Sequence, residues 1–114
     1  MGKLRKRRVR WNAARSGDVV GYRLYWKVGQ GVNYDSDFAE VGDRTEVILP
    51  DDIPSFPLVT AEMDLGVTAV SNKGNESDMV RFSAPFEFTV PDAPTDLSIE
   101  TIEDFWWTPG QVCP

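Results

Sequence analysis

The sequence predicts an all-β chain folded as a two-sheet sandwich, and three observations carry that prediction. Over residues 1–90 apolar side chains recur with period two, the spacing of a strand with one buried face. Gly, Pro, Asn, Asp and Ser clusters break the pattern at short intervals, and no stretch repeats its apolar residues at helical spacing. The length of 114 residues fits a single domain, because a domain needs about 100 to 150 residues to build one core.

Seven strand candidates result, counting a weak one at the N-terminus. The first strand spans residues 4–13, with Val9, Trp11 and Ala13 on one face and Arg8, Arg10 and Asn12 on the other. A turn at "ARSGDVVG" leads into "GYRLYWKV", where Tyr22, Leu24, Trp26 and Val28 share the inward face and Arg23, Tyr25 and Lys27 the outward one. The connection "GQGVN" offers two glycines for positive φ, and "DFAEVG" returns as a short strand. That G-x-G is a turn and no phosphate loop, since no helix follows to present its amides. In "TEVILP", Thr45, Val47 and Leu49 share a face, and Pro50, lacking a ladder donor, ends the strand. "DDIPSFPL" reads as a loop or extended crossover. "AEMDLGVTAVS" points Met63, Leu65, Val67 and Ala69 to a single buried face and Glu62, Asp64, Gly66, Thr68 and Val70 away from it. After the "NKGNES" turn, Met79–Phe88 forms a last strand that Pro85 confines to an edge or bulge. The expected core is Trp11, Tyr22, Leu24, Trp26, Val47, Leu49, Leu65, Val67 and Ala69.

Composition removes most catalytic chemistry. With no histidine and one cysteine, Cys113, the chain supplies no His-centred triad, no Cys/His zinc site and no intramolecular disulfide. Cys113 is left as a tail thiol or an intermolecular disulfide. Ser16, Ser71 and Ser77 sit among turn residues. Asp35 with Asp37, and Asp51 with Asp52, lack the regular oxygen spacing of a calcium loop and read as solvated acids. A small sandwich encloses no cleft for paired-carboxylate hydrolysis, so no enzyme activity, cofactor or metal is expected.

The net charge of −6 hides a segregation: residues 1–15 carry seven basic side chains and no acid, and the remaining 99 hold 5 basic against 18 acidic ones. Lys3, Arg5, Lys6, Arg7 and Arg8 form a candidate basic patch. Binding of nucleic acid there would oppose the acidic body, so outward side chains that are solvated or paired with acids are expected instead. No apolar run reaches the roughly 20 residues of a membrane helix. The basic start, with no apolar stretch after it, is not a secretory signal peptide.

The residues resemble the fibronectin type III family over about 8–90. "VRW" resembles the end of its strand B with Trp11 at the core, "GYRLYWKV" its strand C, and "LGVTAVSNKGNES" its strand F and F–G turn in bacterial members. The resemblance implies an immunoglobulin-like sandwich of seven strands that serves as a non-catalytic spacer or protein-binding module. Its binding loops would be residues 13–20, 42–44 and 71–78. It also implies a location outside the cell or at its surface for a fragment of a typical member, whereas the absence of a signal peptide implies the cytoplasm for a complete chain, so the sequence leaves the compartment open. Three departures stand out: Met63 occupies the position of the family's corner tyrosine, Arg7 stands where strand B turns an apolar side chain inward, and strand A is weak, missing or supplied from elsewhere.

Residues 91–114 form a separate linker, extra strand and tail. "VPDAPTDLSIE" resembles the linker and strand A that open a following domain of this type. Residues 94–101, with Leu97 and Ile99, are therefore candidates to fill a partner sandwich in a strand-exchanged homodimer, against the plainer reading of a loose monomeric tail. Phe105, Trp106 and Trp107 are candidates for the same protein or self interface. Trp106 and Trp107 also admit a carbohydrate-stacking alternative.

Overall fold

Residues 2–103 are described by a computed structural model, in which the period-two segments become six strands: β1 (Arg7–Arg10), β2 (Val19–Val28), β3 (Asp37–Gly42), β4 (Glu46–Leu49), β5 (Thr60–Ser71) and β6 (Val80–Glu87). All pairings are antiparallel. One sheet has the order β3-β2-β5-β6 and the other is the pair β1-β4. Both contribute to one apolar cluster. Leu24 and Trp26 of β2, Met63 and Leu65 of β5, and Ala84 and Phe86 of β6 meet Val47 and Leu49 of β4, with Val9 and Trp11 against them. The molecule is thus all-β, with two antiparallel sheets facing each other across a shared core as in a β-sandwich.

Several expectations are corrected. Six strands form among the described residues, not seven. The first is four residues instead of ten, because Pro50 stops its partner β4 after Leu49 and residues before Arg7 find no ladder to join. Val28 is exposed: it still pairs with Met63 of β5, but the β2–β3 pairing has ended at Trp26–Asp37. The crossover "DDIPSFPL" is a loop as read, yet it delivers Ile53 and Phe56 to the core, where the Phe56 ring lies 5.3 Å from that of Trp26.

The largest correction concerns the outer face of the four-stranded sheet. Tyr25, Asp64, Gly66 and Thr68, expected outward and solvated, are buried. Tyr25 clusters with Val32 and Met79, two residues from the connections flanking the sheet. Gly66 admits this cover: a Cβ there would stand 2.3 Å from the Met79 sulfur. The β2–β3 connection folds back through Gly29 and Gly31, both at positive φ as their lack of a side chain allows. This brings the Gly31 amide to Asp64 Oδ2 at 2.6 Å.

Candidate interaction site: an open seam between the sheets

The strand register fixes which β6 side chains face the core. Val80 pairs with Val67, Phe82 with Leu65, Ala84 with Met63 and Phe86 with Ala61. Since partners in a register share a face, Val80, Phe82, Ala84 and Phe86 all point inward. Burial divides this row in half: Ala84 and Phe86 are 5% and 2% exposed, but Val80 and Phe82 are 74% and 69% exposed. Two inward-facing apolar side chains therefore lack a cover.

The missing cover belongs to the smaller sheet. β1 pairs with β4 along one edge, and along its other edge no strand pairs among the described residues. Between that edge and β6 lies an open cavity of about 700 Å³ floored by Tyr22, Leu65, Val67 and Ala69 and flanked by Val9 and Trp11. Arg7 closes one end, with its guanidinium carbon 4.9 Å from the centre of the Phe86 ring and Nη1 donating to the Pro85 carbonyl at 2.9 Å. This accounts for a charged residue at an inward register position. The Trp11 indole Nε1 is buried with no acceptor among the described residues.

The rim of the seam is basic. Arg8 and Arg10 stand opposite Ile48 and Glu46 in the β1–β4 register, on the face away from the core. Lys6 pairs with Asp51 at 2.6 Å and Arg8 with Glu46 at 3.3 Å. Such half-exposed pairs contribute about 0.2–1 kcal/mol each. Of the basic patch, Lys3, Arg5 and Arg7 form no ion pair among the described residues, nor does Arg10 beside them.

Of the three loops implicated by the family resemblance, 13–20 and 71–78 touch directly, and the strand ends that flank 13–20 and 42–44 are bonded to each other. The Trp11 amide donates to the Thr45 carbonyl and the Asn72 amide to the Asp18 carbonyl, each at 2.9 Å. Backbone bonds close the 71–78 turn, from which Glu76 reaches Tyr25 and Arg23. Asp52, a rejected calcium candidate, accepts from the Ile48 amide at 2.6 Å and from Arg44 at 3.0 Å. These two donors hold its carboxyl below the ordinary range.

The polar groups of the outer sheet face are mutually satisfied. Glu76 Oε1 accepts from the Tyr25 hydroxyl at 2.5 Å and from Thr68 at 2.8 Å, and Arg23 bridges Glu76 and Glu40 at 3.3 and 2.8 Å. Burial pushes the Glu76 carboxyl up, but these donors outweigh it and leave it below its usual value. The Tyr25 hydroxyl is raised, by burial first and then by the Glu76 carboxylate. Asp64 accepts from Ser83, Gly31 and Val32, and the Ser83 bond leads in lowering its pKa. A group with filled lone pairs and a depressed pKa is a poor proton carrier at neutral pH.

The tail candidates Leu97 and Ile99 are fully solvated, at 99% and 97% exposure. Phe105, Trp106, Trp107 and Cys113 lie outside the described residues. The seam residues Val80 and Phe82 were not singled out from sequence, although their alternation with Ala84 and Phe86 marks an inward row. What alternation lacks is any sign of how far the facing sheet extends. No family model, curated protein or solved structure matches the chain.

Proposed function

We propose that the chain is a fibronectin type III-type sandwich acting as a non-catalytic protein-interaction or spacer module, with the β1–β6 seam as its adhesive surface. Support for the type comes from adjacency. The segments resembling strands C and F, β2 and β5, are neighbours with the last strand beside them, and the segment resembling strand B sits in the other sheet. The position left open beside β1 is the one a strand A would take.

The observation that carries the functional reading is the exposure of inward-facing Val80 and Phe82 beside an unpaired strand edge. An extended peptide added to that edge gains backbone hydrogen bonds from β1 and buries alternate side chains in the seam. Covering a side chain of the size of Phe82 contributes about 1.5–3 kcal/mol. No bond-breaking step is assigned, because the polar clusters of the sheet serve the fold.

A phage-displayed library of linear peptides panned against the immobilised chain tests this reading. Enriched peptides should alternate apolar with acidic residues and lose binding to Phe82→Asp. Binders indifferent to both Phe82→Asp and Val80→Asp, or ligands found only on a glycan array, would overturn it.

A further inference from the structure

We infer that the occupant of the seam is the segment Leu97–Ile102 of a second copy of this chain, entered reciprocally so that two chains close a dimer. The inference rests on the reading of the seam as a peptide-binding edge and names its partner. Donor and acceptor match in three respects.

The first match is pattern. Thr95, Leu97, Ile99 and Thr101 alternate with Asp96, Ser98 and Glu100, so an extended segment presents Leu97 and Ile99 on one face and polar groups on the other. Both apolar side chains are almost wholly solvated in the single chain, and Val80 and Phe82 of the seam are about two-thirds to three-quarters exposed. Asp96, at φ 57°, bends the chain just before this segment.

The second is charge. Residues 92–103 hold Asp92, Asp96, Glu100 and Glu103 and no basic residue, whereas residues 3–10 hold six basic residues and no acid. In an antiparallel register with Ile99 opposite Val9, Leu97 faces Trp11, Glu100 stands beside Arg8 and Glu103 beside Arg5. Leu97 and Ile99 enter the seam, Ile102 stays on the outer face with Glu100, and each glutamate meets an arginine.

The third is reach, which decides between the chain's own seam and a neighbour's. Arg7 contacts Pro85, and Gly2 lies against Val90, so β1 starts where β6 ends and the two run in opposite directions. A strand antiparallel to β1 must enter at the Val80 end. β6 is about 23 Å long and residues 88–90, which run alongside Val59 and Thr60, carry the chain still further from its Val80 end, whereas the six residues 91–96 span about 22 Å at most. They cannot return the chain to its own Val80 end. They do suffice to cross to a neighbouring sandwich laid alongside in the opposite orientation, whose Val80 end then lies next to Val90. The same step made by the neighbour closes the pair with two-fold symmetry.

The test is absolute mass by light scattering of the full chain with reductant, from micromolar to millimolar concentration. The wild type should approach twice 12.8 kDa, and Leu97→Asp/Ile99→Asp should stay at 12.8 kDa with an unchanged circular dichroism spectrum. A wild type that is monomeric throughout, or a variant that still dimerises, would overturn the exchange. In a Cys113→Ser background, Arg8→Cys/Glu100→Cys should yield a covalent dimer on mild oxidation, since paired strands place these Cα atoms within disulfide reach. An internal disulfide in a monomer would show that the tail fills its own seam. Displayed peptides that occupy the seam of a monomeric wild type would defeat the exchange and leave the module reading intact. Failure of both would remove both.

Discussion

At the scale of single residues, buried polar groups follow from filled hydrogen bonds. Asp64 is tolerated inside because two amides and a hydroxyl compensate its charge. Its folded pKa lies below the unfolded one, so its contribution is present above the unfolded value of about 3.9 and is lost as pH falls through the folded value. Asp64→Asn should therefore lower stability at pH 7. Urea unfolding of both proteins should converge as the pH falls, and a gap that persists or widens in acid would contradict this assignment. Gly66 is bound to Met79 by space: Gly66→Ala forces the sulfur aside and should cost about 1–3 kcal/mol. The same substitution in a Met79→Ala background should cost much less, and a double-mutant cycle reads the coupling.

At the scale of elements, β6 has two halves with different thermodynamics on one inward face. Phe86 is sealed by Phe56, Phe88 and Arg7, and Phe86→Ala should cost about 3–5 kcal/mol. Phe82 is open. In the Leu97→Asp/Ile99→Asp background, Phe82→Ala should change stability by less than about 0.5 kcal/mol. Equal losses at the two positions in chemical denaturation would mean that the seam is covered in the monomer. The contrast arises from β1, which pairs only as far as the four residues of β4 allow.

At the scale of the whole molecule, the segregation of charge becomes a device for association. Seven basic residues at one end and an acidic tail at the other give each chain complementary termini, and exposed charges are screened over about 10 Å at 0.1 M salt. Dimer dissociation should accordingly increase as sodium chloride is raised, because the rim pairs weaken while the apolar insertion remains. Sedimentation equilibrium across a salt series checks this. An affinity unchanged by salt would confine the interaction to Leu97 and Ile99.

The strands of the larger sheet, their inward residues Leu24, Trp26, Leu65 and Ala69, the glycine turn and the edge position of Pro85 were all legible in the sequence. Each is set by local chemistry: alternation, positive φ, or a missing amide. The double burial of β5 was not, because Asp64 and Thr68 look solvent-facing until Gly31, Ser83 and Glu76 arrive from elsewhere to satisfy them. Nor was the service of Ile53 and Phe56 in the core, since a proline-rich loop carries no period to read. The candidate site shows the same division. Sequence alone marked the basic start and the amphipathic tail as unusual, but only the tertiary structure decided that β1 keeps a free edge and that Val80 and Phe82 face inward uncovered. Periodicity tells a side chain which face it occupies, and whether that face is covered depends on strands far away in the chain.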